Sequence, residues 1–208
     1  MKPRLPWMSR SDRRRWKAAT SLADLGELMA LYLEGAIASK PGYPANYGVD
    51  EETYALIPTL AACNRAGYVT TDSQPGDDLG PGFDGHMWAQ RAAVQGFVTD
   101  YDLLRRLSDA ADEAGLLMEL TDSLDTGEPG IIATVRDGKP TTWFGGYTDG
   151  PNLRCTWHGI GDQALDDVFR AVQVGLAAPD FGAAEGQRLW DVLDAVTGCD
   201  LHEWTAAA

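Results

Sequence analysis

The apolar residues of this chain change period along its length, in an order with no repeated strand–helix–strand rhythm. Leu22, Leu25, Leu28, Met29, Tyr32 and Leu33 recur at helical spacing. Ser21 and Asp24 have the spacing of a capping box ahead of them, and Gly35 is a natural stop. A second helix is predicted from near Asp50, where Glu51 and Glu52 suit a helix N-terminus, to about Arg65, with Gly67 ending it. Pro58 inside it implies a kink or a later start. Tyr68–Asp72 reads as a strand, and Pro75–Gly85, rich in Gly and Asp, as a mobile loop. Residues 86–98 fit strand and helix equally. A third helix is expected from about Tyr101 to Ala114, capped by Asp100 and stopped by Gly115. Leu116–Leu120, Ile131–Val135 and Thr141–Tyr147 read as strands, the last two joined by the turn sequence Arg136-Asp137-Gly138-Lys139. Leu153–Trp157 reads as one more strand. Helices from about Gln163 to Val174 and from about Ala184 to Val196 close the chain. This order predicts an α+β fold: one domain with a mixed or antiparallel sheet flanked by about five helices, not a doubly wound sheet.

With 208 residues and 44% hydrophobic content, the chain can bury a substantial core in one domain. The expected organisation is a basic, flexible arm over 1–17, the domain over 18–204 and a tail over 205–208. No run approaches the roughly 18 apolar residues of a membrane span. No apolar stretch follows the basic N-terminus, as a secretory signal would require. Cys63, Cys155 and Cys199 are far apart, which argues against a disulfide framework or a zinc ribbon and fits a reducing, cytoplasmic setting. Residues 1–17 carry seven basic groups and one acid, while the remainder carries ten basic groups and thirty acids. An acidic body of this kind disfavours a nucleic-acid-binding face. The arm reads either as a solvated leader or as a contact for nucleic acid or a protein partner.

Several familiar reactive patterns are missing. There is no glycine-rich dinucleotide fingerprint, no phosphate-binding lysine loop, no zinc-protease helix motif and no serine-nucleophile elbow. Cys155 and His158 form an incidental Cys-x-x-His pair rather than a nucleophile with its base. Asp77, Asp78, Asp84 and His86 match no cation-loop spacing and read as a solvated Gly-Asp loop, so no metal site is expected. Trp88, Trp143, Trp157 and Trp190 fall in predicted elements and read as core, with ligand stacking as the other use of such rings.

The segment NRAGYVTTDSQP, residues 64–75, places five polar side chains where a strand runs into a Pro corner. It resembles a segment of the C-terminal regulatory domain of eukaryotic methylenetetrahydrofolate reductase, of the form Asn-Arg-x-Gly, two hydrophobic residues, Thr-x-x-Ser-Gln-Pro. The likeness continues in order. Trp16 and TSLADLGELMALYLEG look like that family's helix ending in Tyr-Leu-x-Gly. Glu52-Thr53 stands at the family's interval ahead of Asn64. WAQRAAVQGFVTD is similar to its Gln-Lys-Ala-Tyr-Leu-Glu-Phe-Phe segment, and Thr141-Thr142-Trp143 to its Val-Thr-Trp run. The likeness covers roughly residues 16–147 and includes neither the reductase's catalytic barrel nor its flavin-binding parts. The chain thus looks like a regulatory module standing alone, and also resembles standalone proteins of actinobacteria and their phages.

The resemblance implies a ligand, S-adenosylmethionine or S-adenosylhomocysteine, and ligand-contacting positions at Glu52, Thr53, Thr70, Ser73 and Thr142, with Thr156 the rival for the last. It implies a binding or sensing role rather than catalysis. Each position also has a plain reading: Glu52 and Thr53 start a helix, Thr70 is a good strand residue, and Ser73 closes a turn. The chain departs from the family pattern where Ala93 and Gly96 replace bulky aromatics and where the loop after Pro75 lacks Asn. Two other functions stay open. An enzyme acting on an adenosyl metabolite would draw acid–base groups from Glu52, Asp72 or His86. An interaction protein without a working pocket would use the basic arm or its helix faces.

Overall fold

A computed structural model describes residues 6–121 and 129–199. The expected tail, 205–208, and the first five residues of the expected arm lie outside the described residues. The chain folds as one α+β domain containing two antiparallel four-stranded sheets.

The first departure from expectation is at the N-terminus. Arg10–Ala18 forms helix α1, with Ser9 Oγ accepting from Asp12 N at 3.0 Å as its cap. Trp16 is 1% exposed, and its indole N–H donates to Ser39 O at 2.9 Å. The basic side chains face solvent while one aromatic anchors the helix, so a boundary at residue 17 cuts through packed structure. Net charge alone had hidden the buried stripe. Helix α2, Leu22–Leu33, starts on the predicted capping box: Ser21 Oγ accepts from Asp24 N at 3.1 Å, and Asp24 Oδ2 accepts from both Thr20 N and Thr20 Oγ1. At the predicted second helix, Pro58 delays the start. Glu51–Leu56 is a 3-10 turn, and helix α3 runs over Ile57–Ala66 with Pro58 in its first turn. Gly67, at φ 101°, closes α3 in a conformation only glycine adopts readily.

Strand β1 is Val69–Gln74. The expected mobile loop contains strand β2, Asp77–Pro81, and the ambiguous stretch resolves into β3, Met87–Gln90, and β4, Ala93–Val98. Helix α4, Tyr101–Ala114, is as predicted, with Asp100 Oδ1 accepting from Asp102 N at 2.8 Å. Strands β5, Leu117–Thr121, β6, Ile131–Arg136, and β7, Lys139–Phe144, follow. Asp137 and Gly138 both have positive φ, the mark of the tight turn their sequence signals. The expected strand at 153–157 is instead helix α5, Gly150–Thr156, capped by Asp149 and opened by Pro151. The helix expected over 163–174 ends early: α6 is Asp162–Arg170, and Val172–Ala177 is strand β8. Helix α7 is Ala183–Thr197. There are thus seven α-helices among the described residues rather than five.

One sheet has the order β1-β4-β8-β5 and the other β2-β3-β6-β7. Helices cover both faces of the first. Val94, Val98, Val174 and Leu176 pack on α3, α4 and α7 through Leu60, Leu103, Leu107, Leu189 and Leu193. Val69 and Phe97 pack on the other helical layer through Trp16, Leu25, Leu153, Trp157 and Val168. Ala93, Ala133, Phe144 and Ala177 join the two sheets. They come close enough there that a Cβ on Gly175 would lie 2.5 Å from Gly145 Cα. Gln74 ties the same seam, donating to Arg91 O and Ala133 O at 2.8 and 3.0 Å and accepting from Thr134 Oγ1 at 3.2 Å. No described helix is long and apolar enough to cross a membrane.

Candidate functional site

β1 is an edge strand of its sheet, and a cavity of about 380 Å³ wraps around that edge. Its walls come from α2, the loop before the 3-10 turn, the turn itself, β1 and the end of β7. Glu52, Thr53, Thr70, Ser73 and Thr142 all line it. Glu52 and Thr142 are exposed at its rim, Thr53 and Ser73 are half-buried, and Thr70 is 4% exposed at its floor. Thr156 lies outside it, in a smaller chamber of about 180 Å³ that shares Met29, Lys40, Tyr43, Thr71 and Asp72 with the cavity.

Thr70 and Ser73 are three residues apart and would point to opposite faces of a regular strand. A bulge brings them together. Thr70 pairs with Gly96, Asp72 with Gln95 and Ser73 with Val94, so the strand takes two steps for one of its partner between Thr70 and Asp72. Gly96 and Val94 share a face of β4, and Thr70 and Ser73 therefore share it too. A Cβ at Gly96 would meet Val69 O at 2.2 Å, so the close pairing needs glycine there.

Asn64 holds the floor. Its Nδ2 donates to Leu60 O and to Thr70 Oγ1, both at 2.7 Å, and its Oδ1 accepts from Thr70 N at 3.1 Å. With its oxygen accepting from Asn64, the Thr70 hydroxyl keeps its own hydrogen to donate. The Thr53 backbone N–H donates to Asp50 O at 2.9 Å, which leaves the hydroxyl as its group for a ligand.

The charged groups of the site come largely from the loop that sequence reading treated as a connection. Lys40 Nζ donates to Thr71 O at 3.0 Å and lies 5.1 and 5.8 Å from the Tyr43 and Tyr32 ring centres. Burial pulls its pKa down, and the nearby Asp72 and Asp50 carboxylates partly restore it. Tyr43 donates to Asp50 Oδ2 at 2.9 Å, and burial together with that bond pushes its phenol up to about 12. Tyr32 donates to Gly48 O and is also raised, chiefly by burial. Glu52 is raised by partial desolvation and then by Asp50 and Asp77. Asp72 Oδ2 accepts from Gln95 Nε2 at 3.0 Å, and Gln95 Oε1 accepts from Gly145 N at 2.9 Å. Lys40, Tyr43 and Asp50 were missed; the available signal was a lone cation among tyrosines in a Pro/Gly loop of an acidic chain.

The other candidates lie elsewhere. His86 pairs with Asp137 at 2.6 Å beside the 137–138 turn and does not line the cavity. Asp78 caps α7 through Ala183 N, and Asp84 accepts from Trp88 Nε1 and pairs with Arg136. Among the described residues no group of three or more His, Cys, Asp or Glu side chains is placed to hold a metal ion. Cys155 and His158 are exposed on and just after α5, away from the cavity.

The profile of a protein family described as a domain of unknown function, DUF6919, matches residues 11–198. The chain belongs to the DUF6919 family. The matched span opens inside α1 and reaches past the end of α7, so it takes in most of the basic N-terminal helix, both sheets and every residue that lines the cavity. No curated protein matches the chain.

Proposed function

We propose that this DUF6919 protein binds S-adenosylmethionine or S-adenosylhomocysteine in the cavity at the β1 edge and acts as a sensor or sequestering module rather than a catalyst. One observation carries the reading. The five positions implied by the resemblance to the reductase regulatory domain come from three separate stretches of chain, and all of them line one cavity. Its volume, about 380 Å³, falls within the range of small-molecule sites. Its chemistry suits such a ligand. Thr70, Ser73 and Thr53 offer hydroxyls to ribose or amino-acid groups. Glu52, Asp50 and Asp72 favour an ammonium or a sulfonium, and Lys40 favours a carboxylate.

Calorimetric titration of both ligands into the wild-type protein and into a Thr70→Val/Ser73→Ala variant tests the reading. Wild type should release or absorb heat with at least one ligand. The double variant should bind at least about tenfold more weakly, since each lost hydrogen bond is worth about 1 kcal/mol. Absence of heat with either ligand refutes the assignment. The enzymatic alternative retains Glu52 and Asp72 as acid–base groups at the cavity, with Glu52 the better proton carrier because its pKa is raised. Chromatographic analysis of the ligand after incubation separates the two readings: recovery of unchanged ligand rules out turnover of that substrate.

A further inference from the structure

Helix α1 carries a charge pattern that the rest of the molecule does not answer. Arg10, Arg13, Arg14 and Lys17 are spaced by three and four residues, which places them within an arc of about 100° on one side of the helix. At about 1.5 Å per residue the stripe runs about 10 Å along the axis. All four side chains are exposed, as is Arg15 beside them. Asp12, the helix's one acid, is 6% exposed and lies with Trp16 on the buried side. The other exposed residues of α1 are Ser11 and Ala18. Lys17 pairs with Asp162 at 3.3 Å. No ion pair among the described residues includes Arg10, Arg13, Arg14 or Arg15, although the chain beyond residue 17 carries thirty acids. Like charges at these spacings repel, so the stripe weakens the helix that presents it. The Ser9 cap and the buried Trp16 hold it in place.

We infer that α1 is a docking surface for the phosphate backbone of a nucleic acid. Protein–protein interfaces centre on buried apolar anchors, and the stripe presents none. A polyanion requires none, because its binding is driven by release of condensed counterions. The exposed cations of α1 are four arginines and one lysine, and the planar arginine fork bonds phosphate oxygens in pairs. Trp7, 58% exposed and three residues ahead of Arg10, adds a ring that can stack on a base. The acidic body disfavours nucleic acid over most of the surface, and α1 is the exception. Asp162 is engaged by Lys17 and Asp24 by Thr20. Exposed charges further away than about 8 Å, the Debye length at physiological salt, are largely screened. No residue of α1 lines the ligand cavity, so the inference stands apart from what that cavity holds.

The test follows the fluorescence anisotropy of a short labelled DNA duplex titrated with the full chain over a series of NaCl concentrations. Saturable binding is expected at about 50 mM salt, weakening along a log–log slope of about −3 to −4, the value for four phosphate contacts. Arg13→Gln/Arg14→Gln should make that slope shallower by about 2. This variant relieves like-charge repulsion and should unfold at no lower temperature than wild type. Arg105→Gln/Arg188→Gln removes two exposed arginines from α4 and α7, which pack on the other face of the first sheet, and should leave the slope unchanged. A wild-type chain that does not bind the duplex at the lowest salt overturns the inference. An equal loss of slope in both double variants does so too, since the attraction would then be diffuse. Poly-L-glutamate, added as competitor at equal charge, should displace little of the duplex. Full displacement would assign the stripe to a carboxylate-rich protein and overturn the nucleic-acid reading.

Discussion

Replacing Asn64 by Ala should be among the most damaging polar substitutions in the protein, although Asn64 is only one small side chain. It is 1% exposed and bonds three groups at once. Removing it leaves the Thr70 N–H, itself nearly buried, without an acceptor, which costs about 1–3 kcal/mol. The contacts to Leu60 O and Thr70 Oγ1 are lost as well, at about 1 kcal/mol together or more. The expected total is about 3 kcal/mol. For a domain of this size that corresponds to a fall in Tm of about 6–12 °C. Scanning calorimetry reads the shift, and urea unfolding followed by two probes checks that the transition is two-state. Thr70→Val is the internal control. It keeps the backbone N–H bonded to Asn64 Oδ1 and leaves one buried Asn64 Nδ2 hydrogen without its acceptor, for about 1–2 kcal/mol. An Asn64→Ala variant that costs no more than Thr70→Val would show that Asn64 does not hold the cavity floor.

Trp16→Ala should cost about 3–5 kcal/mol in the same urea experiment, as for a core aromatic, and a loss near zero would return residues 10–18 to the status of an arm. Gly175→Ala drives a Cβ into the Gly145 backbone at the seam between the sheets and should cost about 2–3 kcal/mol; an unchanged urea midpoint would mean that the sheets part without strain. Glu52 has a raised carboxyl pKa in the folded protein, so its contribution to stability is fully present below the unfolded value of 4.5 and is lost as pH rises through the folded one. Glu52→Gln should therefore raise Tm at pH 7 and leave it unchanged at pH 3.5, and an equal effect at both values would exclude a charge-based cause.

The elements that were legible from sequence carry their signals locally. The Ser21/Asp24 box, the Asp100 cap with Gly115, and the Asp137-Gly138 turn each specify structure within a few residues, and each is realised as read. β8 escaped because VQVGLA is buried between two strands, and a fully buried strand has no alternation to distinguish it from a helix. Val172 stands at helical spacing from Val168 and Phe169, which carries the helical pattern past the end of α6 into the strand. α5 was misread from its few apolar residues, although Asp149 and Pro151 offered a start signal. β2 was hidden by Gly and Asp residues that suit a turn, and it pairs with β3 at only a few irregular positions. At the site, the polar run Thr70–Gln74 was visible in the sequence, and the cavity lining includes all five of its residues. Lys40 could not be placed because its role depends on Thr71 and Asp72, which meet it from a strand more than thirty residues further along the chain. Long-range packing of that kind leaves no local periodic trace.

The bulge in β1 makes the site sensitive to parity. Thr70 and Ser73 share a face because one supernumerary residue shifts the phase of the strand between them. Removing that residue would return the strand to simple alternation and turn the two hydroxyls away from each other, whatever residues then occupied the positions. Adding one more residue would shift the phase again. A change of two residues would restore the phase while lengthening the span. Here the count of residues, as much as their identity, decides whether the two hydroxyls can serve one ligand.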